Sequence, residues 1–79
     1  MSPTVFRWKE YRFFFFSREE SKPHIHVRGE KGEMKLWLDP AVEIAYSHGL
    51  AADQSLEIKK KVEEKRDDIV KAWHTHFGS

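Results

Sequence analysis

Two histidines, His24 and His26, lie two positions apart in a short β-prone segment and are the strongest candidates for chemistry in this sequence. Side chains alternate across a β-strand, so both imidazoles and Arg28 are expected on the same strand face. Imidazole titrates near neutral pH and serves as a general acid or base, and a guanidinium stabilises the charge that develops on phosphorus. His24, His26 and Arg28 are therefore the candidate catalytic residues of a metal-independent ribonuclease.

The next predicted strand adds two side chains to this face. A turn with glycines at both ends, Gly29 to Gly32, predicts a hairpin, and the alternation in Glu33 to Leu38 places Lys35 and Trp37 beside the histidines. A lysine binds phosphate and an indole stacks on a base, so these two residues are the candidate substrate-binding residues. The opposite faces of the two strands are apolar and should form the core. Their residues are Ile25, Val27, Met34, Leu36 and Leu38.

The four consecutive phenylalanines of the second strand supply apolar side chains to both of its faces. Phe13 and Phe15 are assigned to the core, and Phe14 and Phe16 then lie on the histidine side. An apolar patch at that position is typical of a surface that binds a partner protein, so Phe14 and Phe16 are the candidate partner-binding residues. A His-X-His strand is also typical of an ordinary solvated sheet face, and this alternative stays open.

A metal site is the other role that these histidines suggest. Zinc would need a third ligand, and the remaining candidates, His74 and His76, lie on a helix that is expected to cover the opposite face. His76 falls on the apolar stripe of that helix and is expected to pack against the sheet. We therefore predict no metal and no cofactor.

The order of elements predicts an α+β fold with a four-stranded, mostly antiparallel meander followed by a short and a long helix on one face. The four strands are predicted at Thr4–Trp8, Tyr11–Ser17, His24–Arg28 and Glu33–Leu38. Asp39 and Pro40 are typical of a helix start, and Gly49 of its end, which predicts a short helix from Pro40 to His48. The long helix is predicted from Ala52 or Asp53 to about Thr75, with Gly78 ending it.

The length of 79 residues allows one domain, residues 1–79, with a thin stability margin to which a homodimer could add. There is no cysteine, which excludes disulfides and thiolate metal sites.

Met1 to Lys9 has no apolar leader-like segment, and the phenylalanine run is too short to cross a bilayer, so we expect a cytoplasmic protein with no membrane partner. Residues 1–35 have eight Lys or Arg against five Asp or Glu, and residues 36–79 six against eight, so an anionic partner should meet the first half.

Four segments carry the most specific patterns of this sequence: Tyr11-Arg12-Phe13-Phe14-Phe15, Pro23-His24-Ile25-His26-Val27, Lys35-Leu36-Trp37-Leu38-Asp39-Pro40 and Trp73-His74-Thr75-His76-Phe77-Gly78. In this order they resemble the bacterial "domain of unknown function 4160" family over nearly the whole chain. The family often has a second proline where this chain has Lys22. The resemblance implies a small cytoplasmic protein encoded beside a short partner, in an arrangement like a toxin–antitoxin pair. Since many such toxins are ribonucleases, it adds weight to RNA as a ligand by analogy.

Two hypotheses follow from these observations. In the first, the protein is a toxin-like ribonuclease with His24 and His26 as its acid–base pair, inhibited by a small antitoxin-like partner. In the second, it is a non-enzymatic protein-binding or regulatory module that docks another protein through Phe14 and Phe16. The first is slightly favoured, because a docking face has little need for two imidazoles beside Arg28 and Lys35.

Overall fold

Five strands precede two helices in the computed structural model, which describes residues 4–16 and 22–78. The strands are β1 (Thr4–Trp8), β2 (Tyr11–Phe14), β3 (His24–Arg28), β4 (Glu33–Trp37) and β5 (Glu43–His48). The helices are α1 (Ala52–Glu64) and α2 (Arg66–Phe77). The α+β class and the antiparallel meander with its helices at the end of the chain are confirmed, but the predicted number of four strands was wrong.

The strands form one sheet in chain order, and every neighbouring pair is antiparallel. The central hairpin pairs His24 with Trp37, His26 with Lys35 and Arg28 with Glu33. This is the register that the alternating pattern predicts, because a one-residue slip would move every apolar side chain out of the core.

The hydrophobic core lies between the sheet and the two helices. The five apolar side chains predicted for the inner face of β3, β4 and the residue after β4 are at most 1% exposed. Ile58 and Val62 of α1 and Ile69 and Trp73 of α2 bury their side chains against them. The amphipathic stripe predicted for the second half of the chain is therefore the surface that covers the sheet.

The helix predicted from Pro40 to His48 is absent, and this was the largest error in the predicted fold. Glu43–His48 is instead β5, paired with β4 over five register positions with a bulge at Ala45. Asp39 and Pro40 do not begin a helix but lie in the connection before the strand. Gly49 does not end one but lies in the turn after the strand, with φ 78°. Pairing with the edge of β4 outweighs weak local helix propensity, since strand formation depends on the neighbours available.

The second predicted helix is present but divided in two. At Lys65 the backbone leaves helical geometry, with φ −106° and ψ 12°, and α2 begins at the next residue. A straight helix of the predicted length would extend about 36 Å, whereas the longest dimension of the described chain is 34 Å. The break keeps the apolar residues of both halves on the sheet. The predicted end at Gly78 is confirmed, with φ 73° and its N–H donating to the His74 carbonyl.

Among the helices of the described residues, none has the length and apolar character needed to cross a membrane.

Candidate functional site on the outer face of the sheet

The sheet face opposite the helices, called the outer face below, carries the residues selected from the sequence. Strand register arranges its side chains in three rows that run across the strands. The arginine row contains Arg7, Arg12, Arg28, Glu33 and His48; the central row contains Thr4, Phe14, His26, Lys35 and Tyr46; the tryptophan row contains His24, Trp37 and Glu43. Phe16 lies beside the central row, in edge contact with His26 at 4.3 Å between ring centroids.

The arginine row places like charges directly opposite one another on neighbouring strands. Arg12 of β2 pairs with Arg7 on one side and with Arg28 on the other. Like charges in this position destabilise a sheet. The row has one carboxylate, Glu33, whose oxygen lies 3.4 Å from a terminal nitrogen of Arg28. Three neighbouring strands therefore each contribute one arginine to this end of the outer face, where guanidinium groups can bind an anion.

The buried ring of Phe14 supports two of these arginines. The guanidinium carbons of Arg12 and Arg28 lie 4.6 Å and 5.9 Å from its centroid, within the range of cation–π attraction. Arg12 also donates from Nε to the Thr4 hydroxyl at 2.6 Å. The side chain of Phe14 is only 3% exposed, so the residue acts mainly as a support for the cations rather than as the exposed partner-binding side chain that we expected. Phe16, at 38% exposed, matches that expectation better.

His24 is fully buried, contrary to the expectation of two accessible imidazoles. Its Nδ1 lies 2.8 Å from the Lys22 carbonyl oxygen, and because a carbonyl oxygen only accepts, Nδ1 is the donor of this hydrogen bond. The ring contacts Trp37 on the outer face at 5.6 Å between centroids and Trp73 of α2 at 4.9 Å. His24 therefore joins the aromatic side chains of the outer face to the helical layer, and a substrate on the surface does not reach it.

His26 is the imidazole closer to solvent, with 7% of its residue surface exposed. It is stacked on Phe14 at 5.7 Å, and its distance from the His24 ring is 5.1 Å. The two imidazoles are thus close together, as the strand alternation predicted, although packing among aromatic rings limits what either can touch. Their role as an acid–base pair stays a prediction.

Trp37 is a half-buried aromatic platform with cations around it. The ammonium groups of Lys22 and Lys35 lie 4.7 Å and 4.3 Å from its ring centroid. Tyr46, 36% exposed, follows Lys35 in the central row and stacks on His48 at 5.1 Å. Both candidate substrate-binding residues therefore lie together on the outer face, in contact with each other.

Several residues of this face were not selected from the sequence. Arg7 and Arg12 join Arg28 only through the pairing of β1, β2 and β3, and Tyr46 joins Lys35 only because β5 exists. The sequence did contain one usable signal. Arg7 and Arg12 lie at equivalent distances from the turn at residues 9 and 10, so a tight hairpin between the first two strands pairs them.

Of the other three histidines, His48 lies at the β5 end of the arginine row, whereas His74 and His76 lie on α2. All three residues are exposed, and the His76 ring stacks on Phe15 at 6.0 Å between ring centroids. Within the described residues, no three or more His, Asp or Glu side chains lie close enough to hold a metal ion.

Three cavities formed by the described residues lie away from the histidine pair. Two shallow cavities of about 590 Å³ and 610 Å³ are lined by α1 with Trp8 and by α2, respectively. A third, of about 290 Å³, is lined by the turn from Arg28 to Glu33 at the arginine end of the outer face. None of the three is lined by His24 or His26.

We expect the replacement His24→Ala to lower the free energy of unfolding by about 2–3 kcal/mol, because it leaves a cavity among buried aromatic rings. Urea denaturation followed by circular dichroism measures this change, and His48→Ala, at an exposed position, is the control. Equal stabilities of wild type and His24→Ala would contradict the structural role of His24. If the His24→Ala protein were folded but had lost a catalytic activity of the wild type, His24 would again be a candidate catalytic residue.

The five-stranded sheet, with two helices on one face and arginines and aromatic rings on the other, defines a small α+β domain with an exposed sheet platform. The chain belongs to the family described as Domain of unknown function (DUF4160), whose model matches residues 11–74. The match spans the sequence from β2 to near the end of α2, including both histidines, Lys35 and Trp37, and confirms the family resemblance. No curated protein and no solved structure matches the chain.

Proposed function

We propose that this protein binds single-stranded RNA on its outer face, as the toxin-like component of a two-protein module. The observation that carries the proposal is the arginine row on the same face as the partly exposed rings of Trp37 and Tyr46. A phosphodiester chain presents both of the chemical groups that such a surface recognises, namely repeated anions and flat bases.

The arginine row favours a polyanion because it places the side chains of Arg7, Arg12 and Arg28 at consecutive register positions on three neighbouring strands. A phosphate that binds there can accept charge-assisted hydrogen bonds from more than one guanidinium group. Guanidinium groups bind phosphate oxygens in a bidentate way, which a lysine cannot do. The row therefore offers affinity for phosphates without a preference for sequence.

The aromatic residues favour bases that are not paired. Trp37, Tyr46 and Phe16 are partly or largely exposed, and each can stack on an unpaired base. A duplex keeps its bases inside the helix, where these rings do not reach. A surface with both features is typical of proteins that bind single-stranded nucleic acid.

The charge of the outer face also supports an anionic ligand. Its described cations are Arg7, Arg12, Arg28, Lys35 and, over Trp37, Lys22, whereas its described carboxylates are Glu33 and Glu43. The formal net charge of the whole chain is only +1, so positive charge is concentrated on this side. Such local fields attract an anionic chain and speed its association.

RNA cleavage is a separate step from RNA binding, and the two histidines contribute differently to it. A catalytic acid or base must lie within hydrogen-bond reach of the reacting atoms. His24 is fully buried, so His26 is the imidazole that a bound chain approaches. Cleavage by this pair therefore requires the outer face to open at His24, whereas binding does not.

A protein-binding module is the second candidate, and Phe16 is the observation that favours it. The ring is 38% exposed and lies against Phe14 and His26. A partner that covered Phe16 would also cover the central row and block the RNA surface. An antitoxin-like partner on this patch is thus compatible with RNA as the ligand of the free protein.

The proposal predicts that the wild-type protein binds a labelled single-stranded RNA oligonucleotide with marked salt dependence. With about three phosphates neutralised by the arginine row, the logarithm of the binding constant should fall against the logarithm of salt concentration with a slope of about −2. Fluorescence anisotropy measures the binding, and a gel of the same samples shows whether the RNA is cut.

The matched control for this experiment is Lys60→Ala, which removes an exposed cation from α1 rather than from the outer face. Its affinity should equal that of the wild type. If the wild-type protein fails to bind RNA even at low salt, the proposed function is wrong. If a duplex of the same sequence binds as tightly, the role assigned to the aromatic rings is wrong.

A further inference from the structure

We propose that the bound RNA lies along β3 and β4, from the arginine row to Trp37, and that the site holds about four nucleotides. This inference rests on the proposed function and specifies the ligand of the same face. It assigns the phosphate contacts to Arg12 and Arg28 at one end, and a stacked base to Trp37 at the other.

The distance between the two ends follows from strand geometry. Arg28 and His24 are four residues apart on β3, and their partners Glu33 and Trp37 are equally far apart on β4. At about 3.4 Å per residue the arginine and tryptophan rows are separated by about 14 Å, with the central row halfway. A strand with the base spacing of duplex DNA also rises about 3.4 Å per nucleotide, so about four nucleotide steps span the same distance.

The charges on the outer face favour this direction over a path across the strands. Along the strands, a chain meets cations at every row: Arg28 first, then Lys35, then Lys22 beside Trp37. Across the strands, the arginine row and the tryptophan row each include one carboxylate. Glu33 interrupts the arginine row, and Glu43 ends the tryptophan row. The two carboxylates repel phosphates from the β5 side of the outer face, which leaves β3 and the adjoining side chains of β4 as the path of the chain.

The stacking position at Trp37 explains why the ligand must be single-stranded. The indole is half-buried, with His24 against its edge, so the ring is held in place before a ligand arrives. The ammonium groups of Lys22 and Lys35 lie over the indole ring. When a base stacks on the ring in their place, the two ammonium groups can rotate away and bind the neighbouring phosphates. Paired bases are not available for this exchange.

The test is a series of single-stranded RNA oligonucleotides from two to eight nucleotides, measured by competition against a labelled octamer. We expect affinity to rise steeply up to about four nucleotides and only slightly beyond, so that the hexamer binds at least tenfold more tightly than the dinucleotide. Trp37→Ala should reduce this ratio to about threefold or less, because only the longer chain reaches from the arginines to the indole.

Trp37→Phe keeps an aromatic ring and should preserve most of the ratio, and circular dichroism verifies that each variant is folded. The path is wrong if affinity grows by equal factors up to eight nucleotides. It is also wrong if folded Trp37→Ala keeps the wild-type ratio, although the protein would then still be an RNA-binding protein. If no oligonucleotide binds, the path and the proposed function fail together.

Discussion

The replacement Arg28→Glu is expected to weaken the binding of single-stranded RNA by about 100-fold, or roughly 3 kcal/mol. Arg28 lies in the arginine row opposite Arg12, and the side chain is 59% exposed. The change removes a charge-assisted contact to phosphate and places a second carboxylate beside Glu33, which repels the chain. Because the side chain is exposed, the stability of the fold should change little.

Three measurements make this expectation specific to the outer face. For the variant, the slope of the logarithm of the binding constant against the logarithm of salt concentration should be smaller in magnitude, by the contribution of about one phosphate contact. Lys60→Glu introduces the same charge change on α1 and should leave the affinity within about twofold of wild type. Arg28→Lys keeps the charge but not the bidentate geometry, so its affinity should be intermediate. Equal losses for Arg28→Glu and Lys60→Glu would show that net charge, not the arginine row, determines binding.

The replacement Trp73→Ala is expected to lower the free energy of unfolding by about 3–5 kcal/mol. The indole of Trp73 is 2% exposed and lies 5.3 Å from Phe15, 4.9 Å from His24 and 4.1 Å from Phe77, measured between ring centroids. Its removal leaves a large cavity between α2 and the sheet. A domain of this length has a total free energy of unfolding of about 4–12 kcal/mol, so the variant should be partly unfolded even without denaturant.

Urea denaturation followed by circular dichroism and by tryptophan fluorescence measures this loss. Thr75→Ala changes an exposed residue of the same helix and should shift the free energy of unfolding by no more than about 0.5 kcal/mol. A loss below about 1 kcal/mol for Trp73→Ala would mean that α2 does not pack on the sheet through this ring. The free energy of RNA binding measured on the folded fraction should change less than the free energy of unfolding, because Trp73 contacts the outer face through the buried ring of His24 and not through an RNA-binding side chain.

The local pattern of the sequence was sufficient for the central hairpin. Alternation is a property of neighbouring residues, so the common face of His24, His26 and Arg28 followed directly from their spacing. The apolar residues between them fixed which side chains face the core, because a one-residue slip would expose it. The face of Lys35 and Trp37 followed from the same alternation, and the structure pairs both residues with the histidines.

Contacts between distant residues decided the rest of the fold. Glu43–His48 is flanked by residues typical of the two ends of a helix. It forms a strand because it pairs with the edge of β4 at five positions, and the local sequence pattern does not predict that edge. The arginine row depends on the same kind of contact: the spacing around the first turn indicates that Arg7 pairs with Arg12, but Arg28 joins them only when β2 pairs with β3.

His24 shows the boundary between the two kinds of information most directly. Its residue type and its strand face were determined by the sequence alone, and both mark it as a candidate acid or base. Its burial was decided only by tertiary structure, because the indole of Trp73, 49 positions later in the chain, packs against the ring. Strand periodicity assigns a side chain to a face, whereas solvent access depends on what other elements place there. The candidate site therefore moves from the histidine pair to the arginines and Trp37 around it.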